Sequence, residues 1–220
     1  TLSAAAQGES LVCFPDPFSH KTTQEQVNVT QETVRELIKW KNWILDITPI
    51  PTPEITAYRE VVGLFEEANY QSSGWYRPRL NCKMRAVGPP FCEICSEQFL
   101  KSIYERLTLI DFYLPPNLTI ELFDSQLITL VVVPLEPLSH QLRVQWFIDK
   151  TQLDSVNTPF LNIEAQDLGS GSHQVKAKVI DTTIWVKDDP DRLLSDSVVW
   201  TVNISRPCTD IAGDANGDGN

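Results

Sequence analysis

Methionine is nearly absent from this sequence, with a single residue, Met84, in a chain of 220. Histidine is scarce as well: His20, His140 and His173 are the three, far apart along the chain. No two of them stand at helical spacing, so an HExxH zinc motif is excluded. A G-x-S-x-G elbow and a glycine-rich phosphate loop are missing too, which excludes those two routes to hydrolysis and phosphoryl chemistry. Positive charge is thin, with 18 Lys plus Arg against 29 Asp plus Glu and a formal charge of -11. No basic stripe with interleaved aromatics is visible, so nucleic acid is not an expected partner. Long hydrophobic runs are lacking. The longest, LITLVVVPL at 127–135, is too short for a membrane span and reads as a buried strand. No charged stretch leads into an apolar one near Thr1, so the chain reads as a processed or cut fragment. Five cysteines, an odd number, fit a fragment missing a partner or a protein with one free thiol.

What is present can build a core: 42% of residues are apolar and six are Trp. TVRE at 33–36 reads as a capping box, with Val34, Leu37, Ile38, Ile44 and Leu45 as a helical stripe behind it. The prolines of ITPIPTPEI, 47–55, stop that helix, and a second short one is expected over 56–66. Cys92, Cys95, Phe99, Ile103 and Leu107 recur at helical spacing and predict a helix over 92–107. Glu93, Glu97, Lys101 and Glu105 fall on its other face. YLPPNLT, 113–119, reads as a hinge between domains. Beyond it the period becomes two. Strands are expected at 127–133, 141–149, 159–165, 173–181 and 197–205, with Trp146 central in one sheet. That pattern is an immunoglobulin- or fibronectin-type β-sandwich, without an inter-sheet disulfide because 114–206 holds no cysteine. Asp214, Asn216 and Asp218 followed by Gly219 match the first half of a calcium loop, whose remaining ligands would lie past Asn220.

GWYRPRLNCKMRAVGPPFCEIC, 74–95, is the densest stretch. Cys82, Cys92 and Cys95 are one sulfur short of a structural zinc site. A redox Cys-x-x-Cys belongs at a helix N-terminus, where Cys92 and Cys95 would sit, but no βαβ unit precedes it. Disulfides in an oxidising compartment are the third reading. Cys82 with Cys92 or Cys95 is the local pairing, and Cys13 could take the other; connectivity stays open.

Several short motifs in register carry a resemblance: IKWKNWI (38–44), PIPTP (49–53), VVGLFEEANY (61–70), GWYRPRLNCKMR (74–85) and PFCEIC (90–95). Together they resemble the IgA-peptidase-like zinc metallopeptidases, a secreted bacterial family. The resemblance implies an α+β chain: a helical C-terminal part of a catalytic domain over 1–112, an immunoglobulin-like sandwich over 113–208, and the start of a dockerin-type calcium loop over 209–220. It implies that NCKMR is the Met-turn, with Met84 as the floor beneath zinc, and that Tyr76 could contact a developing oxyanion. Met84 could equally be a plain core methionine, and Tyr76 a scaffold residue beside Trp75. Arg77, Arg79 and Arg85 read as ion-paired scaffold in an acid-rich chain. Implied with the family are zinc in the intact enzyme, calcium at the tail, a protein or peptide substrate, a cohesin-type scaffold partner, and a secreted or cell-surface location. The zinc motif itself is missing, and Glu67 stands where the family pattern leads one to expect Gly. The competing reading is a non-catalytic extracellular binding or docking module that uses Trp40, Trp43 and Trp185.

Overall fold

The computed structural model describes residues 26–154 and 156–206. Among them the chain forms two compact units. One runs to Leu107 and takes in Thr183–Leu193; the other is Thr108–Thr182 with the residues from Leu194 onward. The proline-rich stretch at 113–119 therefore lies inside the second unit rather than between the two.

In the first unit the helix expected from TVRE does not form. Short 3-10 turns stand at Arg35–Leu37, Lys41–Trp43 and Thr56–Tyr58. No side chain caps the first of them; Glu32 Oε1 instead accepts the amides of Thr33 and Val34 ahead of it, each at 3.0 Å. Ile38 has extended backbone, with ψ 131°. Ile38 and Trp40, two residues apart, are both buried, which extended chain allows and a helix does not. Val34, Leu37 and Leu45 of the supposed stripe are exposed. The second predicted helix is one turn followed by a hairpin of β1 (Phe65–Ala68) and β2 (Gln71–Arg77). Thr30 adds a backbone bridge to Tyr76.

The third predicted helix is present as α1, Glu93–Tyr104, with Cys92 at the N-cap position and no side-chain cap. Its inward face agrees with the periodicity at Cys92 and Cys95 and departs from it elsewhere. Ile94, Cys95 and Glu97 are buried, whereas Phe99 and Leu107 are exposed. The core of this unit joins Ile38, Trp40, Ile44, Val62 and Leu64 to Cys82, Cys92, Ile94 and Cys95.

The second unit holds β3 (Ile110–Leu114), β4 (Thr119–Phe123), β5 (Leu127–Pro134), β6 (Arg143–Ile148), β7 (Thr151–Gln152) and β8 (Phe160–Glu164). One helical turn, α2 (Ala165–Leu168), leads to β9 (Gly171–Ile180), and β10 (Ser195–Ser205) closes the set. One sheet runs β4-β10-β9-β6-β7, the other β3-β5-β8. β10 pairs parallel with β4 and antiparallel with β9. This is the strand arrangement of an immunoglobulin-type sandwich. Alternation sets its core: Val144 and Trp146 on β6, Val175, Ala177 and Val179 on β9, and Val198, Trp200, Val202 and Ile204 on β10 are all buried. Trp146 stacks on Trp200 with ring centroids 6.0 Å apart, and Tyr113 meets Trp200 edge-on at 5.9 Å. Each indole donates to a carbonyl, Trp146 to Thr158 and Trp200 to Pro115, both at 2.9 Å. The described chain is mostly β with few helices, and the helical first domain expected from the resemblance reduces to α1 and short turns.

Candidate functional site

The site is built on the β1–β2 hairpin. Asn69 and Tyr70 form its two-residue turn, with φ 53° and 61°. Two positive φ values match the right-handed twist of the flanking strands, as in a type I′ turn. Glu67 also has positive φ, 64°, at the point where the register slips between Glu66 and Ala68. A Gly would sit there without strain. Glu67 earns a partial return, since its carboxylate lies 3.4 Å from Arg85.

Tyr76 is half-buried between two neighbours. It pairs with Glu66 on β1, and its amide donates to Thr30 O at 2.8 Å. Next to it, Arg77 is buried and donates to Glu54 at 2.6 Å and to the Glu67 carbonyl. Burial, followed by the nearby Arg85 charge, pulls its pKa below the usual guanidinium value. Arg79 lies 3.3 Å from Glu60 and 3.2 Å from Glu93. Arg85 donates to the Leu80 carbonyl at 2.9 Å. All three arginines are therefore held by acids and carbonyls of their own unit, as scaffold.

After β2 the chain folds into a tight turn. The amides of Arg85 and Ala86 both donate to the Cys82 carbonyl, at 2.8 and 3.1 Å, and Lys83 donates to Pro90 O at 2.8 Å. That turn holds Met84, half-buried, against the core, and Tyr76 packs against the same core. The space beside Met84, lined by Asn28, Arg77, Arg79, Cys82 and Cys92, is only about 10 Å³. It is packing, not a substrate pocket.

Cys82 and Cys92 carry free thiols. Cys95 is disulfide-bonded, so its partner is neither of them, and the local pairing expected for these three is not formed. Their three sulfurs nonetheless lie within 4.8 Å of one another. Cys82 has its pKa lowered to about 6, chiefly by a hydrogen bond from Cys92, and the same bond with burial pushes Cys92 up.

On α1, Glu97 was expected outward and is instead an internal acceptor. Its Oε1 takes the amides of Lys187 and Asp188 at 2.9 and 3.0 Å, and its Oε2 takes the Trp43 indole. Lys187 Nζ lies 4.3 Å from the centre of the Trp43 ring, and Lys101 donates to Asp188 O at 2.7 Å. Helical spacing carried no sign of this, because the amides come from ninety residues downstream and the indole from 54 residues upstream. Trp40 is buried, its indole on Gly63 O at 2.8 Å, and Trp43 is engaged with Glu97. Of the three tryptophans in the binding-module reading, Trp185 alone is exposed.

The described residues do not fit a catalytic zinc. Among them, histidine occurs only in the second unit, where His140 is 2.7 Å from Asp181 and His173 is 2.7 Å from Asp149. Each of these histidines is engaged with its own carboxylate, and one sulfur of the cysteine cluster is committed to a disulfide. Cys13 and the calcium-loop residues Asp214, Asn216 and Asp218 lie outside the described residues.

The family model described as IgA Peptidase M64 matches residues 54–103. The segment is peptidase-related. The match begins at the Glu54 partner of Arg77, spans the hairpin, the Met84 turn and the three cysteines, and ends within α1. No curated protein matches the chain. Among solved structures, the fibronectin(III)-like modules of Clostridium thermocellum CbhA match with 12% identity and a TM-score of 0.31, over 43% of this chain and 96% of that one. The N-terminal four immunoglobulin domains of Dscam1 match with 16% identity and a TM-score of 0.30, over 43% of this chain and 20% of that one. The sandwich assignment rests on the strand order of the second unit.

Proposed function

We propose that this chain is part of a secreted zinc metalloendopeptidase, in which it supplies packing beneath the metal and not the metal's ligands. The observation that carries the reading is the peptidase match over 54–103, a segment whose central turn holds Met84 half-buried on the core. Zinc, when bound in such an enzyme, activates water for attack on a peptide carbonyl. This chain's residues act around that chemistry. The β1–β2 hairpin and the Arg77–Glu54 pair brace the Met84 turn. Met84 offers a polarizable, adaptable surface for packing. Tyr76, half-buried on the same core, is a candidate hydrogen-bond donor to a developing oxyanion. The substrate is a protein or peptide, and the location is extracellular.

The test uses the 220-residue chain itself. Elemental analysis should find no stoichiometric zinc, and an unstructured protein such as casein should stay uncut. One equivalent of zinc together with cleavage would overturn the assignment of the ligands to residues elsewhere.

A further inference from the structure

The β6–β9 ladder sets Arg143 opposite Ile180, so the segment leading into β6 runs beside the residue that follows β9. His140 and Asp181 meet there. The Asp181 amide donates to Leu194 O at 2.9 Å, which fixes the residue at the strand end. Its side chain is 1% exposed, that of His140 30%. His140 Nε2 lies 2.7 Å from Asp181 Oδ1, and Nδ1 lies 3.0 Å from Ser139 Oγ. A proton on Nε2 donates to the carboxylate, which leaves Nδ1 to accept from the Ser139 hydroxyl. An exposed hydroxyl, an imidazole and a buried carboxylate joined in this order are a nucleophile, its base and the group that orients the base. Such a set is recognised by geometry and roles, and it needs no G-x-S-x-G elbow. A cavity of about 530 Å³ adjoins His140, with apolar walls from Leu135, Leu142 and Val144. Gln141 and Asn157 also line it, and among the described residues neither side-chain amide is hydrogen-bonded. We propose that Ser139, His140 and Asp181 form a serine-hydrolase site that cleaves small, neutral carboxylic esters.

The reaction needs water as its one co-reactant. Ser139 Oγ bonds to the ester carbonyl carbon as its proton passes to His140 Nδ1. The carbonyl π electrons move onto oxygen, where the Gln141 and Asn157 amides are the available donors. Asp181 stabilises the imidazolium through the proton on Nε2. Collapse breaks the bond to the alkoxy oxygen, which takes the proton from Nδ1 and leaves as the alcohol. Water then attacks the acyl-serine, giving its proton to Nδ1. The acid departs and Ser139 regains its proton. Ester and water become acid and alcohol, and the three residues return to their starting state. The surroundings set the substrate class. The apolar walls suit a short acyl chain, and Glu136 in the lining disfavours a negatively charged one. All of these residues belong to the second unit, so the proposal does not rest on the zinc reading.

The experiment gives the 220-residue chain, kept in EDTA, p-nitrophenyl butyrate in one arm and a biotinylated fluorophosphonate in the other. Digestion and mass spectrometry locate the fluorophosphonate adduct. Turnover of the ester should persist in EDTA, and the adduct should lie on Ser139. Ser139→Ala, in an exposed turn, should remove the adduct and lower kcat/KM by about 100-fold or more. His140→Ala should do the same, with Ser139 still present but unlabelled. Asp181→Asn should lower kcat/KM by about tenfold or more. Asp181 is buried, so if that variant does not fold, the adduct position and the Ser139→Ala comparison decide. Three results would overturn the proposal: ester turnover no faster than that of Ser139→Ala, an adduct on another residue or none at all, or turnover abolished by the chelator.

Discussion

Tyr70 sits in the left-handed region with φ 61°, although 59% of it is exposed and its ring has little to pack on. For an L-residue that conformation costs about 1–2 kcal/mol. Tyr70→Gly makes the turn Asn-Gly, the favoured type I′ pair, and should stabilise the protein by about 1 kcal/mol in urea denaturation. A loss of stability would mean the ring contributes more than its exposure suggests. Asp149 offers a second residue-level test. Its Oδ2 is 2.7 Å from His173 Nδ1 and its Oδ1 accepts the Gln174 amide at 2.8 Å. These bonds lower its pKa, the one to His173 most. A depressed carboxylate stabilises the fold above the ordinary Asp value and loses that contribution as pH falls through the folded one. Asp149→Asn should therefore flatten the acid side of the stability profile below about pH 4 while leaving its neutral region little changed in slope. Thermal unfolding across pH measures this; an unaltered acid limb would dismiss the pair as a stabilising element. At this scale Glu67 was legible as an oddity in the sequence, and it takes a positive φ that Gly adopts without strain. Burial of Glu97 was not legible, because acceptors of distant amides leave no local pattern.

Among the elements, those with period two were read well and those with apparent helical period less so. β5, β6, β8, β9 and β10 fall where alternation placed them, to within a few residues at either end. β3 and β4 were missed because Pro115 and Pro116 stand between them, and the prolines read as a hinge. The TVRE helix failed for a different reason: Ile38 is extended, and Val34, Leu37 and Leu45 of the supposed stripe are exposed, so the spacing did not mark one buried face. The sandwich core gives the element-scale prediction. Trp146 is fully buried, stacked on Trp200 and bonded to Thr158 O. Trp146→Ala should cost about 3–5 kcal/mol, from lost burial and the cavity left behind. A midpoint shift in urea unfolding worth under about 1 kcal/mol would show that the two-tryptophan stack is not the centre of that unit.

For the whole molecule, two compact units carry different kinds of information. The second is an immunoglobulin-type sandwich whose strand order is complete without reference to any relative. The first contains the peptidase-related segment, in which Arg77 and the three cysteines are buried and Met84 is half-buried against the core. No helix among the described residues is long and apolar enough to cross a membrane. The motifs that carry the family resemblance were legible in the sequence. Their physical role was not, because the tight turn at Cys82–Ala86 depends on hydrogen bonds that no spacing rule announces. The central claim is that Met84 packs beneath a zinc held by residues beyond those described. Zinc per chain, measured by elemental analysis on the full product of the gene with native Met84 and with Met84→Ala, tests it most directly. The account predicts about one equivalent and chelator-sensitive proteolysis with native Met84, and weaker zinc retention with residual cleavage in the variant. Absence of zinc and proteolysis from the full product, or zinc retention identical in the two proteins, would contradict it.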